Sequence, residues 1–532
     1  MRRRVLLLLG TFVFAGSAAC SAILGLQAPP SGDEGSAGDG GGQDGTAKGD
    51  DSAPAEDAGD SGDSGPAATC VPLDAGGGGA AYYPLEGQTP VDDAGDTTWA
   101  FFSSAGIAGF NFTANFAGGT FDGRYVYFAG QTHYAVRYDT LGGGFTNAAA
   151  WSHVAFADAT WAFAGAVFDG RYVTFVPQVH GTSAGSVAVR YDTLAPAGDF
   201  AAPASPAWQS FDVSTLSDGG GALTTGFFGG SFDGRYLYFV PRNDGVPFGR
   251  VVRYDALGSL DAALVGSGSD GAAEASASDA GDASTGTGAA AAGFADPALW
   301  SSFDFSGTDP TARGFTGGVF ASGALFFVPN ANDAFDAAVH FGNSGTVVRY
   351  QVDAGFGAAS SYTTFDTTRV NGLAYDDIGG AFDGRYVYLV PHATGVISRY
   401  DTTASFASVS AWSTYDTSRV VFVDGGTAPF AGGAFDGRFV YFVPFGNSGV
   451  TALLRYDTES TFAADCAWSS FDFTQLEPQD SGVSSLFVGA VFDGQYLYLI
   501  PSSGTKGAYF VRFQAKTPPT APGSPGLVSS FL

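Results

Sequence analysis

Residues 379–391 read Gly-Gly-Ala-Phe-Asp-Gly-Arg-Tyr-Val-Tyr-Leu-Val-Pro, and this stretch decides the fold. Copies with small edits begin at Gly118, Gly165, Gly229, Gly317, Gly379, Gly432 and Gly489. In the fifth copy Ala381-Phe382-Asp383 is a short apolar run ending in Asp-Gly. Asp-Gly between β-rich runs is a strong hairpin signal and predicts a type I′ turn, with positive φ at both central residues. Arg385 to Val390 is aromatic and β-branched, so it reads as a second strand, stopped by Pro391. A third strand, Val396-Ile397-Ser398-Arg399-Tyr400-Asp401, follows a short loop, and a fourth, Trp412-Ser413-Thr414-Tyr415-Asp416, follows a polar one. Four short antiparallel strands in each of seven units predict an all-β chain, a seven-bladed β-propeller.

The third strand recurs around Arg137, Arg190, Arg253, Arg349, Arg399, Arg455 and Arg512. The fourth recurs only at Trp151, Trp208, Trp300, Tyr362, Trp412 and Trp468, because the seventh unit stops after Arg512-Phe513. Trp99-Ala100-Phe101-Phe102 stands alone before the first unit. An N-terminal strand near Trp99 is therefore expected to complete the last blade and remove an open sheet edge. The recurring glycine pair, tyrosine and tryptophan over residues 97–515 resemble the kelch-type repeat, which implies a propeller. The pattern differs in carrying Val-Pro (Val176-Pro177, Val240-Pro241, Val443-Pro444) at the end of the second strand, with the glycine pair ahead of the first.

The ends have a different composition. Met1-Arg2-Arg3-Arg4 is basic and Val5–Ala15 is apolar, but too short to span a bilayer comfortably. Ser17-Ala18-Ala19-Cys20 resembles a bacterial lipobox, with Ser17 where leucine is commoner. The resemblance implies a signal peptide over 1–19, cleavage before Cys20 and acylation there, and Ser21 resembles the pattern of lipoproteins that travel to an outer membrane. An ordinary cleavage site after Ala19 is the other reading. Residues 20–81 are rich in Gly, Asp, Ser, Ala and Pro and read as a disordered acidic tether, spanning on the order of 40 Å. Residues 266–292 are a second low-complexity run, expected as a loop of the third blade, and 516–532 read as a flexible Pro-rich tail.

The formal net charge of −29, with lysine confined to Lys48, Lys506 and Lys516, leaves no basic face for phosphates and argues against nucleic acid or anionic lipid as a partner. Membrane attachment would rest on the acylated Cys20. The aromatic content of 15% suits blades that are apolar on both faces. With Cys20 assigned to lipid, Cys70 and Cys466 are left over in an exported chain, and their pairing would tie the tether to the ring.

A residue present in every blade reads as structural, so the seven arginines are expected to form a ladder of ion pairs or backbone contacts. The aspartate of each Asp-Gly reads as a turn residue. Non-repeated residues are the better site candidates. His133, His180, His340 and His392 all follow second strands, on one face of the ring, and are candidates for a transition metal, with polar loop residues as the plainer reading. Asn330, Asn332, Asp333 and Asp336, with Asp376-Asp377 and Asp424 on the same face, are candidates for Ca²⁺, although no EF-hand spacing occurs. No cofactor is predicted. Galactose oxidase uses a similar ring with a copper and a Cys–Tyr link, but Cys466 falls beside an outer strand. Asp93 to Trp99 is a single near miss to the sialidase aspartate box. There is no His-Glu-x-x-His and no phosphate-cradling loop. The first functional reading is a non-enzymatic, monomeric surface lipoprotein that binds a protein or glycan through one rim. An extracytoplasmic propeller enzyme acting on carbohydrate is the second, and a structural envelope component the third.

Overall fold

Alternating β-branched, aromatic and glycine-rich runs bounded by Asp-Gly and Pro produce twenty-eight short strands and no long helix among the described residues. The computed structural model describes residues 69–72, 81–87, 97–111, 115–178, 185–216, 226–243, 246–258, 293–332, 344–420, 422, 429–446, 452–476, 486–502 and 509–517. The strands form seven four-stranded antiparallel sheets, the blades of a β-propeller. In blade five the order is Asp377–Phe382, Tyr386–Pro391, Val396–Asp401 and Trp412–Asp416. The first strands of successive blades touch one another around the ring, the last meeting the first, so they line the axis.

Each sheet is apolar on both faces, and the core is a series of layers between blades. One layer packs Tyr388 and Val390 of blade five against Phe442, Leu454 and Trp468 of blade six. A short 3₁₀ turn precedes most of the fourth strands, as at Val409–Ala411 before Trp412.

Closure uses the strand Trp99–Ser103, which pairs antiparallel with Tyr509–Gln514, Trp99 opposite Phe513 and Phe102 opposite Phe510. More of the N-terminal segment takes part than the sequence indicates. In the other blades the fourth-strand ring donates to a carbonyl of the loop ahead of it, as from Trp412 Nε1 to Phe406 at 3.1 Å and Trp468 Nε1 to Phe462 at 3.0 Å. Trp99 Nε1 donates to Leu85 at 3.0 Å. Leu85 therefore takes the place of the loop phenylalanine that blade seven lacks.

The expected tether and tail boundaries move accordingly. Val71 N donates to Ser460 Oγ, Arg438 reaches the carbonyls of Val71 and Pro72, and Tyr82 bridges to Lys516. Thr517 N donates to the carbonyl of Ala81. Residues 69–72, 81–87 and 516–517 are thus part of the ring's surface. Cys70 and Cys466 are joined as a disulfide, Cα to Cα 6.0 Å, which pins this segment to blade six. Residues 1–68, including Cys20, the loop 266–292 and residues 518–532 lie outside the described residues.

Two local expectations are corrected. The glycine pair lies inside the first strand rather than ahead of it. Gly379 has φ +73° where the register with the second strand slips between Asp377 and Gly380. A bulge of this kind wants a residue free to adopt positive φ, which accounts for a glycine at this position in all seven units. The Asp-Gly turn is not type I′. Gly384 has φ +100°, whereas Asp383 keeps negative φ and acts through its side chain, Oδ1 accepting from the amides of Arg385 and Tyr386 at 2.8 and 2.6 Å. Positive φ at both central residues occurs only in blade four, at Ser322 (+49°) and Gly323 (+73°), where Asp-Gly-Arg is missing.

Candidate functional site

The repeated charges build the frame. In blade one Asp139 lies opposite Tyr125, so Arg124 beside that tyrosine reaches its carboxylate at 2.8 Å. The same pair joins Arg171 to Asp192, Arg235 to Asp255, Arg385 to Asp401 and Arg438 to Asp457. The ion-pair ladder therefore uses the arginine of Asp-Gly-Arg and not the third-strand arginine. Third-strand arginines lie between two aromatic rings, one from their own blade and one from the next. Arg190 stacks on Tyr172 at 3.8 Å and Phe294 at 4.5 Å, and Arg399 on Tyr386 at 4.0 Å and Phe462 at 3.9 Å. Arg137, Arg253 and Arg512 do the same. Arg455 stacks on Phe439 and donates to the Tyr83 carbonyl, in keeping with the substitute loop of blade seven. Arg349 differs, bonding to Gln351, because Ala324 replaces the tyrosine of its own blade. A desolvated guanidinium against two ring faces is a strong cation–π contact, and here it clamps one blade to the next.

One position per blade is held in the same backbone place while its identity changes. The residue after each second strand donates its amide to the carbonyl of the residue preceding or flanking the first strand. These are Gln131 to Asn115, Gln178 to Ala162, Arg242 to Gly226, Asn330 to Gly314, His392 to Asp376, Phe445 to Pro429 and Ser502 to Leu486, all at 2.8–3.2 Å. The seven form a ring at one end of the channel, and five of them carry a charge or a side chain able to donate or accept at more than one atom.

Blades three to five concentrate polar groups there. Asn330 Nδ2 donates to Asp376 Oδ1 at 2.5 Å, and His392 Nδ1 lies 3.5 Å from Asp376 Oδ2. Arg242 stacks over Phe228 at 4.7 Å, and burial pushes its guanidinium down to about 10 against the attraction of Asp376. Asp376 has φ +59°, in the left-handed region where blades three and four place Gly226 and Gly314. A non-glycine residue there stores strain of about 1 kcal/mol or more.

Asp377 is the sharpest departure from the repeat. The first strand of every other blade opens on phenylalanine, namely Phe116, Phe163, Phe227, Phe315, Phe430 and Phe487. Asp377 fills the same register, opposite Pro391, and is 1% exposed. Both of its carboxylate oxygens are buried without a hydrogen-bond partner, as is His392 Nε2. Burial, reinforced by the neighbouring Asp376, holds its pKa far above the usual carboxylate range. Its backbone is better served, since Thr316 Oγ1 donates to its carbonyl at 2.6 Å.

The cluster offers a fixed cation, a carboxylate shared by an amide and an imidazole, and an imidazole Nε2 with no hydrogen-bond partner, whereas the Asp377 carboxyl is buried in the place of a core phenylalanine. It can bind a small polar group through several hydrogen bonds. Among the described residues no group of three or more His, Cys, Asp or Glu could hold a metal ion. Of the histidines read from the sequence, His392 belongs to this cluster, whereas His133 lies in blade one, where its carbonyl accepts from the amide of Phe156. Asn332 donates to the Thr311 carbonyl at 3.3 Å, outside the cluster. His180, His340, Asp333, Asp336 and Asp424 lie outside the described residues. Arg242 escapes a search by residue type, but alignment of the seven second strands brings it out as the residue that follows Pro241.

These features define a seven-bladed β-propeller with a non-repeating polar cluster at one end of its channel. No family model matches the chain, and no curated protein matches it. Among solved structures it is similar to Raptor from Chaetomium thermophilum, with a TM-score of 0.45 and 8% identity over 80% of this chain. The match spans 29% of that protein's length.

Proposed function

We propose that this chain is a non-enzymatic, lipid-anchored propeller of the bacterial cell surface that binds a protein or glycan through the channel end where blades three to five meet. The observation that carries the reading is the ring of equivalent positions, Gln131, Gln178, Arg242, Asn330, His392, Phe445 and Ser502, which varies while the framework around it repeats. A scaffold alone gains nothing from burying Asp377 in a phenylalanine's place, and groups that cost stability are characteristic of sites. Anchoring rests on the lipobox-like Ser17 to Cys20, and the acidic stretch beyond it would hold the ring clear of the lipid.

The test has two parts. Metabolic labelling with a palmitate analogue should mark the wild type and not Cys20→Ser. Wild type and the double variant Arg242→Ala/His392→Ala are then compared for capture of envelope proteins and of surface glycans. A component retained by the wild type and lost by the double variant supports the reading, and identical recoveries contradict it.

The enzyme reading has one observation in its favour. His392 is oriented by Asp376 and leaves Nε2 unpartnered, the arrangement of a general base. No hydroxyl or thiol nucleophile is bonded to His392 among the described residues, which favours binding. Turnover of an envelope glycan that His392→Gln abolishes would reverse that preference.

A further inference from the structure

Fourth strands carry a second regularity, and it fails once. The aromatic ring that opens each fourth strand is covered by an aromatic ring from the preceding blade, three residues into that blade's own fourth strand. Phe102 covers Trp151, Phe211 covers Trp300, Phe303 covers Tyr362, Phe365 covers Trp412 and Tyr415 covers Trp468. These five pairs are stacked, with centroids 4.2–4.8 Å apart and planes within 19°. Trp99 is covered by Phe471 and Phe473. Trp208 is the exception, because blade one has Val154 where the others have a ring. Phe156, two residues on, meets Trp208 edge-on at 5.0 Å and 86°, which does not replace the missing stack.

A groove of about 330 Å³ lies against Trp208, lined from blade one by Phe156, Ala157 and Asp158 and not by the fully buried Val154. Trp208 and Trp161 line it with Phe156, and Asp158, Gln209 and Ser210 supply polar groups. Trp161 is the only tryptophan of the 7 that does not open a fourth strand. The loop before Trp208 is also longer, Phe200 to Trp208 spanning two residues more than Phe406 to Trp412, and its Pro203 and Ala204 form a wall. Gln209 Oε1 accepts from Arg190 Nε at 2.9 Å, which fixes the amide and turns its nitrogen outward as a donor. Asp158 is held ionised by the Thr160 hydroxyl and amide, below the usual carboxylate range.

We infer that this groove binds one pyranose unit of a neutral glycan, its flat C–H face lying on the Trp208 indole. The volume is at the small end of ligand pockets, about 300–1,000 Å³, which suits one sugar unit and not a folded partner. An indole face carries partial negative charge and attracts C–H groups, while Asp158, Gln209 and Ser210 supply an acceptor, a donor and a hydroxyl for ring hydroxyls. Asp158 is the only charged residue of the lining and the chain has a formal net charge of −29, so uronic or sulfated sugars are disfavoured. The groove belongs to blades one and two, apart from the cluster of blades three to five, and stands or falls independently of it.

Binding of gluco-, galacto- and mannohexaose to the full chain, in a detergent without a sugar headgroup, is measured by calorimetry and tryptophan fluorescence. An aromatic pentapeptide serves as the competing probe. At least one hexaose is expected to bind, and Trp161→Ala to weaken it by about tenfold or more, as expected for loss of an aromatic wall of the groove. Trp161→Ala is a change at a half-buried residue outside the repeat, so the ring is expected to fold and the variant decides. Three outcomes overturn the inference: no hexaose binds at millimolar concentration, Trp161→Ala leaves binding unchanged, or the peptide binds and the sugars do not.

Discussion

Asp377 and the third-strand arginines are opposite uses of burial. The carboxyl of Asp377 sits in an apolar layer with no partner, so the native state holds a proton that the unfolded chain releases near pH 4. A carboxyl whose folded pKa is raised makes stability fall as pH rises from the unfolded value through the folded one. Asp377→Asn should therefore stabilise the protein by about 1–3 kcal/mol at pH 7.5 and by almost nothing at pH 4. Urea unfolding at both pH values checks this, and an equal gain at each would sink the account. Arg190 is buried in the other sense, with two ring faces and the Tyr254 hydroxyl at 2.9 Å as its partners. Arg190→Lys keeps the charge and loses the planar stack, so a cost of about 2 kcal/mol is expected at neutral pH from thermal or urea melts. The two predictions separate a residue whose removal relieves the fold from one whose removal weakens a joint between blades. The contrast was half legible. An arginine in every unit announces a structural role, but the sequence does not say whether its partner is a carboxylate or a ring. That depends on register, since Asp139 falls opposite Tyr125 and so within reach of Arg124 rather than across from Arg137.

At the scale of the blade, the hairpin shows which parts of the pattern carry meaning. Asp-Gly marks the turn correctly because both readings require glycine, yet the aspartate does its work through its side chain. In blade five it accepts from two amides and, through Oδ2, from the Tyr388 hydroxyl at 2.7 Å. Blade four changes several partners together: Ala321-Ser322-Gly323-Ala324 replaces Asp-Gly-Arg-Tyr and Gln351 replaces the paired aspartate. Such concerted loss is what a coupled unit predicts. The ion pair within a blade differs in worth by environment. In blade six the Arg438 and Asp457 side chains are 2% and 9% exposed, whereas Arg385 in blade five is 58% exposed. Asp457→Ala leaves a buried guanidinium with only the half-exposed Glu459, 3.5 Å away, as a carboxylate partner and should cost about 3–5 kcal/mol. Asp401→Ala should cost much less, as solvent screens its partner. A side-by-side melt of the two variants tests the ordering, and equal losses would contradict it. The site was less legible than the frame for a related reason. Searching by residue type gathers histidines from different blades, whereas the cluster is gathered by position. Asp377 stands out only when the seven first strands are aligned and one of seven phenylalanines is missing.

For the whole ring, stability depends on how two ends separated by most of the chain are held together. The lone Trp99 strand disclosed the closure, but the share taken by residues 69–72 and 81–87 was hidden, because low-complexity sequence does not advertise backbone contacts. The described N-terminal segment closes the ring three ways. The strand from Trp99 completes blade seven, Leu85 accepts the indole proton, and Cys70 is bonded to Cys466 across a separation of 396 residues. Without these contacts the strand Tyr509–Gln514 would present an open edge and the joint between blades six and seven would lose Tyr83 from Arg455. The disulfide and the strand act on different states. The crosslink shortens the unfolded chain, so Cys466→Ser should cost about 2–5 kcal/mol while leaving the folded ring closed. Trp99→Ala removes a ring that is 1% exposed and stacked on Phe473 at 5.1 Å, and should cost about 3–5 kcal/mol by opening the last blade. Because both losses fall on one joint, the double variant should open it before the rest unfolds. Hydrogen exchange should then show early loss of protection over residues 509–514, with blades two to five still protected. Uniform loss around the ring would mean that the blades unfold as one unit and that closure is not the weak joint.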